Sequence, residues 1–406
     1  MYLFDIRGRP AQVEPSKEYN QLECSSLAVQ VSVILSPISK IRMPGHFGQK
    51  VLMTLGLNDH AHQQNPSAVR LSGRPTANND ERGLSSPPNN GTYPRLCRLS
   101  DGTILSSFTR FPDGQRSLHV ARSTDNGLTF EDFSVVTRGA GDVDNMFLCE
   151  VAPGTILAAF RNHDKGPNGP THFRITVCRS TDGGRTWQFA SQAAEKRPPL
   201  GIWEPFMRVG RQGEVQLYFS QEFAHNNQCT MLVVSRDQGS TWTQPTCLHG
   251  DQDALRDGMC GIARTFDNGR EALLMVFETT RYGPFSVEAL LSYDDGATWG
   301  WRHEVFRPRQ GHNAGSPQIA SFADGSMATI FMTDEDSKHV EWVKNASIKV
   351  VFASQPVEGR VQWSSPTLLS PASSFWPGIM ALDHHNVLAT YDRGGPLAKT
   401  ITWHPA

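Results

Sequence analysis

Two glutamates form a pair able to divide acid and base work between them. Glu204 lies in GIWEPF, flanked by Trp203 and Pro205, and Glu278 closes the apolar run ALLMVFE. A carboxyl group pressed against an indole loses water, and loss of water favours its protonated form. Glu204 is therefore the expected acid, and Glu278, with Arg281 and Tyr282 just beyond it to favour its charge, the expected nucleophile. Cleavage of a glycosidic bond needs such a division: one carboxyl protonates the leaving oxygen while a carboxylate attacks C1 or activates water. A third acid, Glu222 in LYFSQE, stands across the same hairpin; it is either the acid itself or a like charge that perturbs Glu204.

Other polar residues fall at matching positions of repeated segments. Arg95, Asp144 with Asn145, Trp203 with Glu204, Asp257, Ser316 and Trp376 begin apolar runs, and Arg110, Arg161, Glu222, Glu278, Asp334 and Arg393 end the runs that follow. The pattern predicts that all converge on one mouth. Arg95, Asp144, Asn145, Arg161, Trp203, Glu222, Asp257, Trp376 and Arg393 are the expected substrate contacts: arginines bind hydroxyls or carboxylates and indoles stack on sugar faces. An isolated acid at a strand end is ordinarily an ion-pair member, a plainer role that Asp144 and Asp334 also fit. His163, just after Arg161, is a further candidate. No metal-ligand spacing is present, and no cofactor is expected.

The elements that must position these residues recur six times. PRLCRLSDGTILSSFTR, NMFLCEVAPGTILAAFR, EPFMRVGRQGEVQLYFSQE, MCGIARTFDNGREALLMVFE, SPQIASFADGSMATIFMTD and WPGIMALDHHNVLATYDR each read as two β-rich runs joined by a tight turn. Between them, STDNGLTF, STDGGRTW, SRDQGSTW and SYDDGATW start at Ser123, Ser180, Ser235 and Ser292, a period of 55 to 57 residues. Recurrence at a fixed period argues for an architectural part. In these octets Asp125, Asp182, Asp237 and Asp294 are expected to accept hydrogen bonds from N–H groups two residues on, Gly to supply positive φ and the aromatic to cover an outer turn. A worn copy, ASQPVEGRVQW, follows Ala353, and the sixth repeat has none. One strand before and one after each octet brings the unit to four. The expected fold is all-β, a six-bladed β-propeller of four-stranded antiparallel blades over residues 66–406. SAVRL, from Ser67, is the expected closing strand beside KTITWH. Residues 1–65 are expected to be an irregular, partly disordered N-terminal extension, and the segment 72–91 a turn-rich linker.

Of 406 residues, 19% are charged and the formal net charge is −2, which argues against a nucleic-acid partner. No apolar run approaches the ~20 residues needed to span a bilayer, so no membrane partner is expected. Seven cysteines, without a C-x-x-C pair, read as mostly buried thiols. The expected partner is an oligosaccharide or polysaccharide, and the expected state a monomer.

AAFRNHD with RITVCRSTDGGRTW, then GIWEPF, LYFSQE, RDGMCGIA and LMVFE, resembles the sialidase-like propellers that carry Asp-box (BNR) repeats, and most closely glycoside hydrolase family ninety-three, over roughly residues 94–403. That resemblance implies a retaining exo-1,5-α-L-arabinanase releasing arabinobiose from linear arabinan, with Glu204 as acid/base and Glu278 as nucleophile. It also implies an extracellular protein, although MYLFDIRGRP lacks the basic start and apolar core of a secretory signal, leaving a cytoplasmic location open. Two other readings stand beside it. A sialidase would need three arginines on one carboxylate, and Arg95, Arg161 and Arg393 are the candidates; YPRL departs from the Arg-Ile-Pro arrangement of that group. A binding propeller without turnover would need neither glutamate.

Overall fold

The computed structural model describes residues 70–85 and 90–406, and the expectation for residues 1–65 lies outside them. Among the described residues the fold is built of strands, with a single 3-10 turn at Pro112–Gly114. They form six separate sheets: five are antiparallel meanders of four consecutive strands, and the sixth is three consecutive strands completed by two short ones from the start of the described chain. Blades I to VI occupy 92–139, 142–196, 202–249, 258–306, 314–370 and 375–405. The first strands of adjacent blades pack side by side, and that of blade VI returns to that of blade I, closing a six-bladed propeller.

Closure uses a different segment from the one expected. Gly73–Ala77, GRPTA, pairs with Pro396–Pro405 as the outer strand of blade VI, and Arg82–Gly83 pairs with the same strand nearer its start. Ser67 to Val69 of SAVRL lie outside the described residues, and Arg70 and Leu71 are not in a strand. The turn-rich segment serves because an edge strand tolerates Pro75, and because Gly73 lies flat on Trp403, where a Cβ would meet the indole at 2.5 Å.

Apolar residues alternate along the first strands, whereas the second strands are buried on both faces, continuously so from Ile104 to Arg110 and from Met327 to Thr333. The core is therefore six seams, one between each pair of neighbouring blades. Leu157, Phe173 and Val177 of blade II, for example, pack on Met207, Leu217 and Phe219 of blade III.

The octets belong to these seams. In each, two consecutive residues adopt positive φ: Asn126-Gly127, Gly183-Gly184, Gln238-Gly239 and Asp295-Gly296. Asp125 Oδ1 accepts the N–H groups of Leu128 and Thr129, at 3.1 and 2.9 Å, so the reach is three and four residues rather than two. The glycine then docks on the preceding blade: a Cβ on Gly239 would lie 2.7 Å from Leu157, and one on Gly296 2.7 Å from the Tyr218 hydroxyl. Trp242 Nε1 donates across the same seam to Ser191 Oγ at 2.8 Å. The worn fifth copy keeps the contact, as Glu358 and Gly359 give their N–H groups to Asp267 of blade IV.

Candidate active site

Every first strand carries the same irregularity near its start. A residue with φ between 41 and 55° stands at Tyr93, Asn145, Glu204, Met259, Ser316 and Trp376, one per blade. At each, the ladder to the second strand slips, between Thr92 and Arg95 in blade I and between Trp203 and Phe206 in blade III. A left-handed non-glycine residue costs about 1–2 kcal/mol, and such bulges re-aim side chains next to functional sites. Six of them at one level make a ring around the axis. Proline follows in four blades (Pro94, Pro205, Pro317, Pro377), where the broken ladder has no use for an N–H. Tyr93, Asn145, Glu204 and Met259 of this ring, with Arg95, Phe147, Cys260 and Gln318, surround a pit of about 20 Å³ on the axis, enough for one water molecule.

The ring shows which expected positions are equivalent. In blades II, III, V and VI the sequence alignment falls on it, through Asn145, Glu204, Ser316 and Trp376. In blades I and IV it falls two residues away, at Arg95 and Asp257 in place of Tyr93 and Met259. On the second strands, the residues opposite the bulges are Thr109, Arg161, Ser220, Glu278, Met332 and Asp392. Arg161 and Glu278 were correctly placed. Arg110 and Arg393 are one residue off, which turns them to the other face. Arg110 pairs outward with Asp132 at 2.8 Å, and Arg393 is exposed.

Glu204 of blade III and Glu278 of blade IV both stand at this level, and the charge of Glu278 acts on Glu204. Burial pushes the Glu204 carboxyl up to about 8; Arg161 and Arg256 oppose the rise, and the charges of Glu278 and Glu222 add to it. Burial pushes Glu278 up to about 7, opposed first by the N–H of Ser316, 2.8 Å from its Oε2, and then by Arg256. The charge of Glu278, once formed, favours the protonated form of Glu204. Arg281 does not assist Glu278 as expected, because it pairs with Glu288.

Both oxygens of Glu222 have partners. Its Oε2 accepts the N–H of Gly201 and its Oε1 the guanidinium of Arg256, at 2.8 and 2.9 Å. Gln228 Oε1 and the carbonyl of His225 hold the same guanidinium, at 2.8 and 2.9 Å. Arg256, which the repeats did not single out, is so fixed beside both acids. Asp144, buried, accepts Thr109 Oγ1 at 2.7 Å and pairs with Arg116 and Arg161, the ion-pair role open to it from sequence. Asp257 is fully buried on Arg302, at 2.7 and 3.2 Å, and does not reach the pit. Asp334 caps the backbone of Asn313 at 2.7 Å.

Trp203 is packed as a wall: Arg161 lies 5.5 Å from its ring, His163 5.0 Å, and Gly201 directly against it. Burial and Arg161 push His163 down to about 3, so it stays neutral and steadies the indole. Trp376 stacks on Tyr93 with centroids 4.3 Å apart. Trp342, from an unrepeated loop of blade V, reaches Gly315 beside Glu278. Cys97, Cys149, Cys178, Cys229, Cys247 and Cys260 are free thiols, and Cys24 lies outside the described residues. Among the described residues, no helix is long and apolar enough to cross a membrane.

The chain is 26% identical over 240 residues to a sialidase of Micromonospora viridifaciens, a match covering 49% of this chain and 37% of that protein. It therefore spans little more than a third of the length of that curated relative. Among solved structures it is similar to the α-L-arabinanase of Penicillium chrysogenum complexed with arabinobiose, with a TM-score of 0.57, 17% identity and coverage of 77% and 93% of the two chains. It is also similar to the glycoside hydrolase family ninety-three α-L-arabinofuranosidase of Fusarium graminearum, with a TM-score of 0.58, 17% identity and coverage of 82% and 98%. No protein-family profile matches. At these identities the likeness establishes the propeller fold.

Proposed function

We propose that the chain is a retaining glycoside hydrolase acting on linear 1,5-α-L-arabinan and releasing arabinobiose. The reading rests on one observation: Glu204 on the bulge ring and Glu278 opposite the bulge of the next blade stand at one level, burial raises both carboxyls above their ordinary range, and the charge of Glu278 acts on Glu204. In the first step a Glu278 oxygen attacks C1 as Glu204 passes its proton to the leaving oxygen. In the second, Glu204 takes a proton from water, which displaces Glu278 from C1 and restores both groups. Arg256 faces both acids and moderates both ionisations. The likeness to arabinanase propellers supports the choice of sugar.

The sialidase relative favours a second reading, and the arginines weigh against it. Of the three candidates, Arg161 is held by Asp142 and Asp144, Arg393 is exposed and one residue off the level of the ring, and Arg95 alone has no acidic partner among the described residues. Among the described residues, three guanidiniums free to grip one carboxylate are not assembled. Tyr93 is held neutral by burial, its pKa raised well above 10. Incubation with linear arabinan and with a sialoside, following the first-formed anomer by NMR, tests the proposal. Arabinobiose of retained configuration is expected, lost in Glu204→Gln and Glu278→Gln. Release of sialic acid instead, or sugar binding unchanged in both variants with no product from the wild type, overturns it.

A further inference from the structure

Past the bulge ring the propeller axis widens into a second cavity of about 310 Å³, toward the hairpin turns that join the first and second strands. First strands of all six blades contribute to its wall. Leu96, Ile262, Ile319, Ile379 and Met380 make that wall largely apolar, and its two charged residues are Arg95 and Arg264. No carboxylate lines it. Arg264 has its counter-ion in Glu271, at 2.8 Å.

Arg95 has none. Its Nη1 donates to the carbonyls of Pro94 and Trp376, at 2.9 and 3.1 Å, and among the described residues no acid lies within ion-pairing distance. The ionisable groups in its field are Tyr93 and Glu204, and burial favours the neutral form of both. Burial accordingly draws the guanidinium down to about 10. Arg95 is half-buried, and a cation drawn out of water is ordinarily paired, because leaving it alone forfeits hydration without return. Here it stands at the closed end of an apolar funnel that carries no negative charge, a shape that concentrates anions.

We propose that this axial channel binds a small monocarboxylate with a short apolar body, its carboxylate on Arg95 and its body against Leu96, Ile262, Ile319 and Ile379. Arg95 also lines the pit beside Glu204, so the channel adjoins the site of the glycosidase reading, and the test reads binding rather than turnover so that the two can fail separately.

Titration calorimetry at pH 7 and constant ionic strength, with cyclohexanecarboxylate and its neutral amide as probes, tests this directly. The carboxylate should bind one to one, at least about tenfold more tightly than the amide. Arg95→Gln should remove that preference, and Ala381→Trp, at the exposed rim of the channel, should weaken binding about tenfold or more. Equal affinity for acid and amide, no heat with the wild type, or an unchanged preference in Arg95→Gln would overturn the proposal. Should Arg95→Gln fail to fold, the amide comparison and Ala381→Trp still decide it.

Discussion

Ser316 donates its backbone N–H to Glu278 Oε2 at 2.8 Å, and Gly315 beside it leaves no room for a side chain: a Cβ there would stand 2.4 Å from the same oxygen. The bulge of blade V thus orients the acid of blade IV. Gly315→Ala is expected to displace the Glu278 carboxylate and lower kcat on arabinan by about 10²-fold, since misplacement by ~1 Å has that effect. Circular dichroism should show the fold intact, and KM should change much less than kcat.

Arg256 favours the charged form of both glutamates. Arg256→Gln removes that field, so both carboxyls should titrate higher. The acidic limb of kcat/KM, which follows ionisation of Glu278, is expected to move to higher pH. Glu222→Gln, which loosens the guanidinium without removing it, should move the limb the same way by less. An unmoved limb in both variants contradicts the assigned role.

Glu204 titrates near 8 in the folded chain against an ordinary value of 4.5. Between those values the folded state binds more protons than the unfolded one, so this group's contribution to stability is full below pH 4.5 and is lost as pH rises toward 8. Glu204→Gln, which cannot ionise, should raise Tm at pH 8 and have little effect at pH 5. The gain is on the order of 1.4 kcal/mol per pH unit across that window. Thermal unfolding of both proteins at the two pH values measures it.

Gly239 has φ near +80° and lies on Leu157 of the neighbouring blade. Gly239→Ala is expected to destabilise by about 1–2 kcal/mol from backbone strain alone, with the contact adding to it. Leu157→Ala, a fully buried truncation at the same seam, is expected to cost about 2–5 kcal/mol. Urea unfolding of both variants should also show that neither changes the position of the activity optimum.

The amino-acid sequence by itself determined the six hairpins, the octets and the blade count, because each is a local matter of alternation, turn residues and period. It also placed Glu204, Glu278 and Arg161 at one level. Tertiary structure decided the rest. A bulge shifts strand register by a residue that no local signal counts, which is why Arg110 and Arg393 turn outward while Tyr93 and Met259 turn in. Arg256 and Trp342 sit in loops without a repeat to align them, and their nearness to the acids exists only once blades III, IV and V are packed. Gly73–Ala77 closes the ring by pairing with residues more than three hundred positions away, where the partner's surface, Trp403 above all, selects a strand that its own composition disguises.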